Sequence, residues 1–108
     1  MVEYTLNYNS VFHALADETR RDILLQVNAG EKTITEIAKK YSMSFAAIAK
    51  HLNVLEAAAL IVKRKQGRAQ VISANPQTIA DITDYLKRYE VMWDQRFNKL
   101  EDILKEGR

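Results

Sequence analysis

Apolar residues recur at spacings of three and four along most of this chain, and that pattern alone predicts a run of helices. Ser10 can cap a short first helix carrying Val11, Phe12 and Leu15. Asp17 starts a second, ETRRDILLQVNAG, buried through Ile23, Leu24 and Val27 and closed by Gly30. Thr33 and Glu36 have the T-x-x-E spacing of a capping box and open a third helix through Ile37, Ala38 and Tyr41. Tyr41-Ser42-Met43-Ser44 is then a tight connection, and Ser44 caps a fourth helix whose buried face is Ile48, Leu52 and Leu55. Two helices joined this closely predict a helix-turn-helix.

After Leu60 the period changes to two. Ile61 and Val62 lead into Lys63-Arg64-Lys65, then Gln66-Gly67-Arg68, then Val71 and Ile72, which predicts a β-hairpin with Gly67 at its tip. Pro76 ends the hairpin and suits the first turn of a last helix. From Gln77 to about Glu106 the apolar positions are Ile79, Ile82, Leu86, Tyr89, Trp93, Phe97, Leu100 and Leu104. Some 30 residues at 1.5 Å each make a helix of about 45 Å, against a diameter of roughly 26 Å for a domain of this size. Part of the stripe must therefore be covered by something other than its own domain. The expected architecture is a single mainly α domain over residues 1–108, with a helix-turn-helix core and wing over 10–73 and a C-terminal dimerisation helix over 76–106.

On the Ser44 helix, steps of 100° place Ala46, Lys50, Asn53 and Ala57 opposite the buried side. A helix seated in a DNA major groove needs small residues where the backbone approaches the bases and a cation that reaches their edges. An inert surface can carry the same alanines, because alanine is a good helix former. Charge changes that balance. Residues 32–70 hold eight basic and two acidic side chains, while 1–31 hold two and five and 71–108 hold six and seven. The cations Lys63, Arg64, Lys65 and Arg68 surround the hairpin tip directly after this helix, where they can meet phosphates.

Composition removes most other chemistry. With no cysteine there is no thiolate metal site or Cys nucleophile, and His13 and His51 are the only imidazoles. Asp81, Asp84, Glu90 and Asp94 read as a solvated helical face, and no phosphate loop or nucleophile elbow occurs. No enzyme activity, cofactor or metal is expected. No apolar run reaches about 18 residues, and MVEYTLNYNS lacks a signal-peptide pattern, so a soluble cytoplasmic protein is expected.

The segment from Ala14 to Ile72 resembles the winged-helix repressors of the ArsR type. The motifs A-L-A-D-x-T-R-R-x-I-L, T-x-x-E-I-A, S-x-x-A-I-x-K-H-L-x-V-L-E-x-A-x-L-I and R-x-x-G-R occur in family order. The aromatic last helix, YLKRYEVMWDQRFNKLEDIL, is similar to a cysteine-free branch of that family. The resemblance implies a homodimeric repressor whose first and last helices form the dimer interface, with DNA contacts from the start of the Ser44 helix and from the wing. Ala49 and Ala59 stand where the family often has Ser and Gly. The first removes a hydroxyl, and the second makes a left-handed turn into Leu60 less accessible.

The combined reading assigns double-stranded DNA to Ser44, Phe45, Ala46, Ala47, Lys50 and His51 on the recognition helix. Thr33, Lys63, Arg64, Lys65 and Arg68 serve the backbone and wing contacts. Phe12, Ile82, Leu86, Tyr89, Trp93, Phe97 and Leu100 are the expected dimer interface. The expected target is an inverted-repeat operator, with no membrane partner and an effector that the sequence does not reveal. A winged helix that docks proteins instead of DNA is the alternative.

Overall fold

A computed structural model describes residues 6–106 of the 108. The reading of the chain start for a targeting signal falls partly on residues 1–5, outside the described residues. In chain order the elements are α1 (Tyr8–Leu15), α2 (Glu18–Ala29), β1 (Lys32–Thr33), α3 (Ile34–Ala38), α4 (Phe45–Ala57), β2 (Ile61–Gln66), β3 (Ala69–Ala74) and α5 (Pro76–Glu106). The fold is mainly helical with one small antiparallel sheet. The pair α3–α4 is the helix-turn-helix and the β2–β3 hairpin is the wing.

Local capping explains where most helices begin. The Asp17 carboxylate accepts from the Arg20 amide at 3.0 Å, and Ser44 Oγ accepts from the Ala47 amide at 3.1 Å. Both arms of the Thr33–Glu36 capping box are formed, each at 3.1 Å. Helix α1 departs from expectation. Asn7 Oδ1 accepts from the Ser10 amide at 3.1 Å, so Asn7 is the cap and Ser10 lies inside the first turn. Asparagine serves this position as well as serine does, and an earlier start adds a turn. Gly30 ends α2 in extended backbone, with φ 167°, rather than in a left-handed turn.

Helix α3 is also shorter than its sequence pattern. The amides of Lys40 and Tyr41 reach the carbonyls three residues back at 3.2 Å, which tightens the chain and leaves Tyr41 in the turn. Its hydroxyl donates to Asp22 and accepts from Gln26 Nε2 at 2.6 Å, both on α2. Burial, then the Asp22 bond, pushes the Tyr41 phenol up. The helix-turn-helix turn is thereby tied to the helix behind it.

Helix α4 ends in a left-handed residue after all. Ala59 takes φ 60°, and the amides of Ala59 and Leu60 return to the carbonyls of Glu56 at 2.9 Å and Leu55 at 3.0 Å. These are the two bonds of a Schellman motif, and Leu60 behind them is almost fully buried. The bonds and the burial outweigh the roughly 1–2 kcal/mol that a Cβ costs in this conformation.

Strand β1 has no counterpart in the sequence reading. It pairs Lys32 with Ile72 and Thr33 with Val71, giving the order β1-β3-β2. The hairpin runs in unbroken register from Ile61↔Ala74 to Gln66↔Ala69. Gly67, with φ 63°, allows a two-residue turn of the II′ kind.

The core is filled by Val11 and Ala14 of α1, Ile23 and Val27 of α2, Ile37 of α3, and Ile48, Leu52 and Leu55 of α4. Leu60, Ile61 and Ile72 close it from the sheet side. Helix α5 joins only at its base. Thr78 and Ile82 are buried, whereas every residue of 86–105 is exposed. Ile82, grouped with the dimer stripe by its spacing, thus packs into the core of its own protomer. The radius of gyration is 18.8 Å and the longest extent 68 Å. A compact chain of this length has a radius near 13 Å, so the outer helix projects. Among the described residues no helix is long and apolar enough to cross a membrane.

Candidate nucleic-acid interface

The start of α4 presents an open, nearly uncharged surface. Phe45 is 59% exposed, Ala46 is exposed and Ala47 half-buried, while Lys50 one turn later is exposed and has no ion-pair partner among the described residues. The Ser44 hydroxyl accepts in the cap, which leaves its proton available to donate outward. The Thr33 hydroxyl both donates to and accepts from Glu36, so it belongs to the capping box. The structure brings Thr33, Phe45 and Arg68 together around one hollow of about 210 Å³ between the helix start and the wing tip. Thr35 and Gln70 line the same hollow, and sequence reasoning missed both.

His51 faces inward. Its Nδ1 lies 3.3 Å from Arg20 Nη1 and 3.9 Å from Asp17 Oδ2. A guanidinium only donates, so Arg20 can bond this nitrogen in the tautomer that carries its proton on Nε2. Arg20 also donates to the carbonyls of Ala14 at 2.7 Å and His13 at 3.1 Å. One arginine therefore joins the end of α1 to the recognition helix. The Asp17 carboxyl is held below its ordinary value, first by the Arg20 amide and then by nearby positive charge.

The four wing cations divide into two pairs. Lys63 Nζ donates to Asn53 Oδ1 at 2.5 Å and lies 3.6 Å from Glu56, which ties the root of the wing to α4. Arg64 forks onto Glu31 at 2.6 and 2.9 Å. That bond holds the Glu31 carboxyl down and raises Arg64. Lys65 and Arg68, nearest the tip, are exposed without an ion-pair partner among the described residues. On α4 and the wing, Lys50, Lys65 and Arg68 are thus without an ion-pair partner among the described residues, and the other two wing cations brace the hairpin. A search for opposite charges adjacent in sequence does not find Glu31, which is 33 positions from Arg64.

On the far side, Tyr8 and Tyr85 stack with centroids 4.2 Å apart, and Phe12 tilts against Tyr85 at 5.9 Å. Aromatic contacts therefore bind α1 to α5. Beyond them Leu86, Tyr89, Trp93, Phe97 and Leu100 are between 46% and 61% exposed. Among the described residues no group of three or more His, Cys, Asp or Glu is placed to hold a metal.

Comparison with known proteins agrees with this geometry. Residues 17–63 match the model for bacterial regulatory proteins of the arsR family. The transcriptional repressor SdpR of Bacillus subtilis is 32% identical over 81 residues, which span 75% of this chain and 90% of SdpR. The solved structure of an ArsR-like transcriptional regulator from Rhodococcus sp. is 34% identical with a TM-score of 0.74, covering 91% of this chain and 90% of that one. A homodimeric winged helix-turn-helix DNA-binding domain from Mycobacterium bovis shares the fold at 23% identity and a TM-score of 0.61, covering 83% of this chain and 81% of that domain. The chain belongs to the arsR family and is a DNA-binding winged-helix transcriptional regulator.

Proposed function

We propose that the protein is a cytoplasmic homodimeric repressor that binds an inverted-repeat operator, each subunit setting the start of α4 in a major groove. The observation that carries this is the small-residue start of α4, with Lys50 exposed one turn on and unpaired among the described residues, and Arg68 of the wing tip lining the same hollow as Phe45. Ser44, Phe45, Ala46 and Ala47 are its groove-facing residues, and apolar atoms there suit thymine methyl groups, while Lys50 can donate to guanine O6 and N7. His51, Thr33, Lys63 and Arg64 then act mainly by holding the helix and wing in place. The exposed aromatic stripe of α5, with Phe12 of α1, is the dimer seam. The repressor role of SdpR and the homodimeric state of the M. bovis domain support the same reading.

Selection of bound duplexes from a random library tests DNA binding, symmetry and sequence preference together. The expected product is a pair of A·T-rich half-sites with a G·C pair in reach of Lys50, spaced about one helical turn. Lys50→Ala should relax that G·C preference at a cost of about 1–3 kcal/mol, with little effect on non-specific DNA. Equal weakening on every duplex makes Lys50 a phosphate contact. No enrichment at all favours a protein-docking winged helix.

A further inference from the structure

We propose that the cavity between α2 and the base of α5 binds a small amphiphilic carboxylate and that its occupancy is felt at the end of the recognition helix. The cavity is about 350 Å³, inside the roughly 300–1,000 Å³ range of small-molecule sites. Its walls include Leu15, Leu24, Leu25, Leu60, Ile79 and Ile82. Three polar groups stand among them, Arg21, Asn28 and Thr83.

These polar groups specify the ligand's head. Arg21 Nη1 donates to the Leu15 carbonyl at 2.8 Å, which fixes the guanidinium, yet Arg21 has no carboxylate partner among the described residues. Its remaining donors suit a planar carboxylate. Asn28 is exposed and adds an amide donor. Thr83 spends its proton on the Ile79 carbonyl at 2.8 Å, so it offers an acceptor and no second donor. A hydrocarbon body meets the aliphatic walls. The fitting class is an alkyl monocarboxylate of short to medium length.

The walls also give the occupant leverage. Leu60 closes the Schellman motif after left-handed Ala59, so it joins α4 to the first residue of the wing. Ile79, Ile82 and Thr83 lie at the root of the helix that carries the exposed aromatic stripe. A ligand pressing on both walls biases the angle of α4 and the wing relative to α5. This regulatory part rests on the DNA-binding function proposed above, whereas occupancy of the cavity does not.

The test titrates the methyl-labelled full chain with sodium octanoate, and with 1-octanol as an uncharged match, following leucine methyl resonances. Saturable shifts at Leu15, Leu24, Leu25 and Leu60 are expected. Arg21→Gln should weaken octanoate about tenfold or more, the worth of a charged hydrogen bond, and leave octanol nearly unchanged. Thr83→Phe changes an exposed position and should fill the cavity, removing both responses. Absence of saturable shifts at submicellar octanoate overturns the site, as does equal octanoate affinity in Arg21→Gln. A Thr83→Phe chain that turns monomeric, beside a wild type blind to octanoate, makes the cavity a seam between copies and also overturns it. Duplex binding measured in the same samples should weaken or strengthen at least threefold with octanoate. Methyl shifts without that change overturn the coupling alone. A chain that binds no duplex loses the regulatory part with the DNA reading, and the methyl shifts still decide the cavity.

Discussion

Helix α4 and the outer half of α5 carry the same spacing of apolar residues and meet opposite fates. Ile48, Leu52 and Leu55 are each 0% exposed, whereas Trp93, Phe97 and Leu100 are 50%, 61% and 52% exposed. The difference is length and position: thirteen residues sit in the crook of the other helices, and thirty-one cannot. Periodicity identifies a face that will be covered, and the geometry of the chain decides whether its own body or another molecule covers it.

Four changes break or sharpen this contrast. Leu52→Ala should cost about 2–5 kcal/mol through lost burial and a residual cavity, with the same urea midpoint shift at every protein concentration. The double change Trp93→Ala with Phe97→Ala should remove about 2–4 kcal/mol of association free energy. Sedimentation should show monomers whose circular dichroism retains the folded body; unchanged dimers exclude this stripe from the seam. Ala59→Gly tests the joint between α4 and the wing. Relief of the left-handed Cβ, less the added backbone entropy of glycine, should raise stability by about 0.5–1 kcal/mol in denaturant melts.

Glu31→Gln should have the smallest effect. Because Arg64 lowers the Glu31 carboxyl, the native state favours its charged form. The stabilisation is present above the ordinary value of 4.5 and is lost as the pH falls through the lower folded value. The variant should therefore lose less stability than the wild type in that acid window, and should match it more closely once both are fully acidified. Parallel melting curves across the window remove the Glu31 contribution.

The parts legible in the sequence are those whose physics is local. Asp17 with Arg20, Thr33 with Glu36 and Ser44 with Ala47 each close a cap across three residues, so residue type and spacing suffice. The buried face of α4 and the tip at Gly67 follow from equally short patterns. The α1 cap slipped because Asn7 and Ser10 are both competent, and only the pairing of the Ser10 amide decides between them. Strand β1 was invisible because two residues carry no period, and its partners Val71 and Ile72 come from the far side of the helix-turn-helix. The partners of Arg64 and His51 were hidden for the same reason, since Glu31 and Arg20 stand 33 and 31 positions away. The charge of Arg64 was visible in the sequence and its ion-pair partner was not.

The open tip of the wing has a consequence for insertions and deletions. A Cβ at Gly67 meets nothing within 4 Å, and the turn there closes a ladder whose other end is anchored at Ile61↔Ala74. Residues added at the tip therefore extend the ribbon without disturbing its root, by about 3.4 Å for each residue per strand. Parity governs the outcome. One extra residue on each strand turns the tip cations to the opposite face, while two on each strand restore their direction and carry them about 6.8 Å farther out. Wing reach is thus a dimension that can lengthen or shorten in even steps while α4 keeps its seat.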